Sequence, residues 1–367
     1  MDAYAALTRG TTKPTTAEVI TLLKDSSGGG IGSDADTNMN YVIDFGGHTY
    51  TVGAPAVGST GTVSQGLRVL KTSTAKFTNG TLKAANYNGL AQVVHTYGDV
   101  TFDSFNVDAR ENSYAQIAVE PDCGTLNING NSSILAREGM TGLYVAFWHT
   151  ATYNGTTVNV NTTGKITGKL VYEFDEDMTG NDAARENRAV LKIDNGNFEI
   201  TEIKPLFTDV DVTNEALTKE KITVNGGTFS SDVSDFVGNE PVAATGEQEG
   251  TYVVGQSAIN AVAKAGNDVR IVKGNVRLTD VPAGVTVYPE DGTVVFVNGK
   301  DISGNQYRDG YTVPQSSGYY YYHPTTDTKT TDTKGSPKTF DAGIALYVGM
   351  ALTSAAGVAF VGKKRED

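Results

Sequence analysis

The residues best placed to do chemistry in this chain lie in one acidic loop. After the apolar run at 169–174 the sequence reads DEDMTGNDAARE. Asp175, Asp177, Thr179, Gly180 and Glu186 stand at the spacing of a twelve-residue calcium loop. That spacing gathers oxygen ligands round one hard cation, with glycine at the sharp turn and the last glutamate bidentate. Asp182, however, stands where such loops carry an apolar residue, and a strand pattern precedes the loop in place of a helix. Asp209, Asp211, Thr213 and Glu220 nearly repeat the spacing, with Asn214 where glycine belongs, as chance provides in an Asp- and Thr-rich chain. Calcium therefore competes with the plainer reading of a solvated acidic loop, and no other cofactor is expected.

A second set comprises Asp99, Asp103, Asp108, Arg110 and Glu111. Close aspartates suit glycoside hydrolysis, and acids beside an arginine base suit elimination from an acidic polysaccharide. The plainer reading is turn-forming acids on an outer face, so no catalytic residue is assigned. The histidines, His48, His95, His149 and His323, show no metal-ligand spacing to a cysteine or acid. His48 and His95 fall in strand patterns and could point either way. Cys123, the single cysteine, excludes an internal disulfide and reads as a small buried residue. In LYVAFWHTATY, strand alternation puts Tyr144 and Trp148 on one face and Val145, Phe147 and His149 on the other. One face belongs to a core; rings on the other would stack on a sugar or a protein partner.

The elements that must position these groups are short strands. From Asn40 onward, β-branched and aromatic runs alternate with Gly, Asn, Asp and Ser. Aligned on their central turns at Gly47, Gly80, Ser104, Gly130, Thr162, Gly196 and Gly226, they recur at steps of 33, 24, 26, 32, 34 and 30 residues. No amphipathic helix separates them, which excludes a βαβ sheet. An imperfect repeat of this length predicts a solenoid of stacked strands, in which one coil cannot bury its apolar face alone but neighbours share a core. Ordinary Asn-Gly hairpins and a string of β-sandwiches are the competing readings.

The fold class expected is mainly β: a right-handed parallel β-helix over 40–237, a small α+β capping module over 238–308, and a C-terminal transmembrane helix. Residues 1–39 read as an N-terminal cap, with a helical pattern over 3–24 and a loop over 25–39. GQSAINAVAKAGN reads as a helix stopped by Gly266 and Asn267. Residues 309–335, rich in Thr, Asp and Lys after Tyr319–Tyr322, read as an extended stalk.

The tail has the clearest address. Residues 342–362 carry no charge, are long enough to span a bilayer, and are followed by Lys363, Lys364 and Arg365. The formal net charge of −13 argues against nucleic acid as a partner. No basic and then apolar leader opens the sequence. The expectation is a signal that was trimmed, or a start assigned downstream of it, with a tail-anchored intracellular protein as the alternative.

SPKTFDAGIALYVGMALTSAAGVAFVGKKRED resembles a Gram-positive cell-wall sorting signal: a Leu-Pro-x-Thr-Gly-like motif, a hydrophobic span and a basic tail. Pro337 and Thr339 match the motif; Ser336 replaces its leucine and Phe340 its glycine. The resemblance implies a sortase as partner, cutting after Thr339, and Phe340 sets wall linkage against a retained membrane anchor. VNGGTFSSDVSDFV and the block AVAKAGNDVRIVKGNVRLTDVPAGVTV are similar to repetitive adhesin-like surface proteins of gut Firmicutes with pectate-lyase-like β-helices. That resemblance implies a non-catalytic display protein on the outside of the cell, binding a glycan or a host or bacterial surface protein. The alternative is a β-helix carbohydrate-active enzyme at the same location. An enzyme needs acids, or acids plus arginine, converging on one exposed sheet face.

Overall fold

Alternating apolar and polar residues build the first two of three parallel ladders. The structure, a computed structural model, describes residues 2–33, 35–59, 62–146, 155–174, 189–207, 222–246 and 250–315. The chain is mainly β. In the first ladder Tyr41 pairs in parallel with Ala75, then in turn come Val100, Leu126, Val158, Leu191 and Ile222. All seven are buried. Two residues along, Ile43, Phe77, Phe102, Ile128, Val160, Ile193 and Val224 form a second buried column. Residues between the columns point outward: Lys76, Thr101, Asn127 and Asn159 stand in register and are partly exposed.

The second ladder stacks Tyr50, Leu82, Val107, Ile134, Ile166, Phe198 and Phe229 in the same way. Rings of successive layers touch inside: Phe77 lies 6.1 Å from Phe102 and 5.6 Å from Phe105, and Phe198 stacks on Phe229 at 4.8 Å. Each fully buried side chain of this size contributes roughly 1.5–3 kcal/mol of hydrophobic stabilisation.

The corner between these ladders explains the repeat. Asn79, Ser104 and Gly130 follow paired residues and adopt φ of 55°, 56° and 66°. Glycine and asparagine enter this left-handed region at low cost. The strand Thr74–Ala84 runs through Asn79-Gly80 and pairs in parallel on both sides of it. The Asn-Gly pair is thus a corner within one turn of the chain, and neither a hairpin nor a sandwich accounts for it. Along the first column the register advances by 34, 25, 26, 32, 33 and 31 residues, close to the steps in the sequence.

The third ladder is built differently. Gln65–Val69, Gln92–Thr96, Ile117–Pro121, Thr141–Val145 and the end of Thr156–Phe174 pair in parallel through Leu67, Val94, Val119, Leu143 and Leu170. All five residues of Gln65–Val69, and four of five in each of the next two strands, are buried. The segment before Gln65 pairs back against it, with Val57 and Gln65 exchanging two 2.8 Å backbone hydrogen bonds.

Three boundaries differ from expectation. The helical pattern over 3–24 yields only Asp2–Ala5 as helix; Glu18–Thr21 is a strand paired with 41–44, and Ser26–Gly28 is another paired with 50–52. Backbone pairing to the next strand overrides a weak local preference. The parallel ladders therefore start at Glu18 and not at 40. At the other end, Tyr311–Thr312 pairs with Thr286 and Val287 and Val313 is buried, so the expected stalk loses its first residues to the folded unit, which runs to Val313.

After Gly227–Phe229 the pairing turns antiparallel through Tyr252–Val254, Val242–Thr245 and Val269–Lys273. Gly266, at φ 93°, closes the helix Gln256–Lys264, whose Ile259 and Ala263 enter a second core with Val269, Ile271 and Val287. Among the described residues no helix is long and apolar enough to cross a membrane, and 342–362 lies outside them.

Candidate functional site

The buried outer side of the third ladder carries charge. Arg68, His95 and Glu120 pair in register on three successive strands, and Asp122 follows Glu120 by two residues. Their exposures are 7%, 5%, 9% and 5%. The backbone fixes the last of them, because the Asp122 amide donates to the Thr96 carbonyl at 2.8 Å. His95 Nε2 lies 2.6 Å from Asp122 Oδ2, and His95 Nδ1 lies 2.8 Å from Gln65 Nε2. The Tyr97 ring packs 4.6 Å from the imidazole, and the Arg68 guanidinium stands 5.9 Å from the Tyr97 ring centroid. Burial, and next the Asp122 carboxylate, push the Tyr97 phenol well above its ordinary value. Arg68 Nη2 donates to Ser59 Oγ at 2.6 Å, so the segment before Gln65 is tied to the cluster.

One imidazole and two carboxylates, with ligand atoms all within 4.8 Å of one another, form a donor set able to hold a metal ion. Acids and an arginine also converge here, though on a covered face, unlike the exposed cluster a polysaccharide enzyme needs.

The sequence missed this site because His95, Glu120 and Asp122 are 25 and 27 residues apart, far from any familiar ligand spacing. The available signal was the repeat itself: the register advances by 25 residues both from Val94 to Val119 and from Ala75 to Val100. Residues separated by one such step sit side by side.

The candidates drawn from spacing scatter. Asp99 Oδ1 accepts from the Thr125 amide at 3.1 Å, Asp103 pairs with Lys76 at 2.7 Å, and Asp108 takes Arg110 through two bonds of 2.9 and 2.7 Å. The Arg110 side chain holds the Asp108 carboxyl below the usual carboxylate range. Glu111 instead pairs with Lys83 at 2.8 Å. These acids serve separate neighbours and form no common site. His48 faces Asp25 at 3.4 Å on the surface. Cys123 is buried, as its type suggests. Tyr144 is half-buried on the third ladder, next to the buried Val145. Trp148, the calcium loop Asp175, Asp177, Thr179 and Glu186, and the sorting residues Pro337 and Thr339 lie outside the described residues.

Comparison with known proteins returned no matching family model, and no curated protein or solved structure with significant similarity.

Proposed function

We propose that the chain is a surface-display protein: a right-handed parallel β-helix that presents a non-catalytic binding face outside a Gram-positive-type envelope, anchored through 342–362. The observation that carries this reading is the run of parallel ladders whose inner columns stay apolar from residue 41 to 229 while the outer positions stay polar. Stacked turns of that kind lengthen a rod without adding chain crossings, which suits reach from a surface.

The outer face offers amides, hydroxyls and charges at fixed strand spacing. Asn159 Nδ2 donates to Asn127 Oδ1 at 3.0 Å, and Lys192 pairs with Asp194 at 3.0 Å one ladder position on. Such flat polar faces match the hydroxyl pattern of a glycan better than the apolar anchors of a tight protein interface. The tail supports the location: an uncharged 21-residue span, a basic stop and the partial sorting motif at Pro337 and Thr339.

The folded unit 1–313 can be labelled and applied to an array of glycans and mucins beside an array of carbohydrate polymers assayed for cleavage. Saturable binding to a glycan class without release of new chain ends is the expected result. Release of reducing or unsaturated ends would replace the display reading with an enzyme.

A further inference from the structure

We infer that His95, Glu120 and Asp122 bind one divalent transition-metal ion of the zinc class, a role that does not depend on the surface-display reading. The three ligand atoms come from side chains that are all at least nine-tenths buried and lie within 4.8 Å of one another. Zinc takes imidazole nitrogen and carboxylate oxygen at ~2.0–2.2 Å in near-tetrahedral geometry, so its ligand atoms stand ~3.3–3.5 Å apart. Rotation of two carboxylates about their own side-chain bonds is the adjustment required. The backbone need not move, because His95 and Glu120 are already paired in register and Asp122 is held on the Thr96 carbonyl.

Charge favours occupation. The cluster brings together two buried carboxylates and the Arg68 guanidinium, which stands in register with His95. Burying an ionised carboxylate costs several kcal/mol unless it is compensated. With a neutral imidazole the cluster carries excess negative charge, which a dication offsets.

The second observation is Gln65. It is 4% exposed, its amide abuts His95 Nδ1 at 2.8 Å, and its Oε1 has no hydrogen-bond partner. The two ends of a glutamine amide are assigned from hydrogen bonding and not seen directly. Turned about, Oε1 accepts from an Nδ1–H, and the Nε2 lone pair is then turned towards Asp122 and open to an ion. Metal-bound histidines are held by this kind of outer contact. The ion then stands between Nε2 and Asp122 Oδ2, and these two atoms separate from 2.6 Å. Hydrogen-bonded this way, Gln65 is a positioning residue and not a ligand.

The test uses the full chain, stripped with a chelator and titrated calorimetrically with zinc, manganese and calcium chlorides. One equivalent of zinc binding at least tenfold more tightly than calcium, with a rise in melting temperature, is expected. Cobalt should give the intense visible bands of a low-coordinate site. His95→Gln and Glu120→Gln should each weaken zinc at least tenfold, while Glu111→Gln leaves it unchanged. Absence of stoichiometric zinc uptake by the unaltered chain overturns the proposal, and so does calcium preference, which would point to the acidic loop at 175–186. Uptake that survives both substitutions also overturns it. Should a variant fail to fold, the cobalt spectrum of the unaltered chain decides, a weak octahedral spectrum refuting the site.

Discussion

Single buried acids carry large consequences here. Asp36, 1% exposed, accepts from the Tyr4 hydroxyl at 2.7 Å, from Arg9 Nε at 2.7 Å and from Ser33 Oγ at 2.8 Å. These bonds tie the first residues to the end of the ladders, where Tyr4 meets the Tyr41 ring at 5.7 Å. Burial holds both phenols above their ordinary range, so they enter these contacts protonated. Asp36→Asn sets an amide against donors that need an acceptor. Leaving buried partners unsatisfied costs ~1–3 kcal/mol, and urea unfolding should show a loss of about 2 kcal/mol. An unchanged midpoint would mean that the N-terminal segment is not part of the cooperative unit. None of these links was visible in the sequence, because Tyr4, Arg9 and Asp36 meet only once the chain has turned back on itself.

At the scale of the element, the corners decide whether turns can stack. A Cβ on Gly80 would lie 2.3 Å from Phe45 Cβ and 2.5 Å from the His48 carbonyl oxygen, both parts of the preceding layer. Gly139, by contrast, sits at φ 78° with nothing near its missing Cβ. Gly80→Ala should therefore cost about 2 kcal/mol or more through overpacking, and Gly139→Ala about 1 kcal/mol through backbone strain alone. Thermal melts of the two variants would rank them; equal shifts would show that layer packing at Gly80 gives way easily. The first two ladders were legible beforehand because half of each strand faces solvent and keeps an alternating pattern. The third was legible only as short apolar runs such as GLRVLK and AQVVHTY, since strands buried on both faces lose that alternation. Its polar residues were therefore easy to overlook.

At the scale of the whole molecule the folded unit runs over 1–313, and the proposed surface address rests on the sequence of the tail. Two outcomes separate at Phe340. Mass spectrometry of the mature protein should find Thr339 joined to wall peptide if a sortase acts there. An intact Asp367 would instead make 342–362 a retained membrane anchor. Across the molecule, the sequence alone determined the strand-rich class, the repeat and the corner residues. These follow from local rules: side chains alternate along a strand, and a left-handed corner selects Gly, Asn or a small polar residue. Only the tertiary structure decided where the ladders begin, that the first residues close one end, and that His95, Glu120 and Asp122 meet. Those outcomes depend on the length of each turn. A 25-residue step puts Glu120 beside His95, and one residue more or less would have turned its carboxylate to the other face.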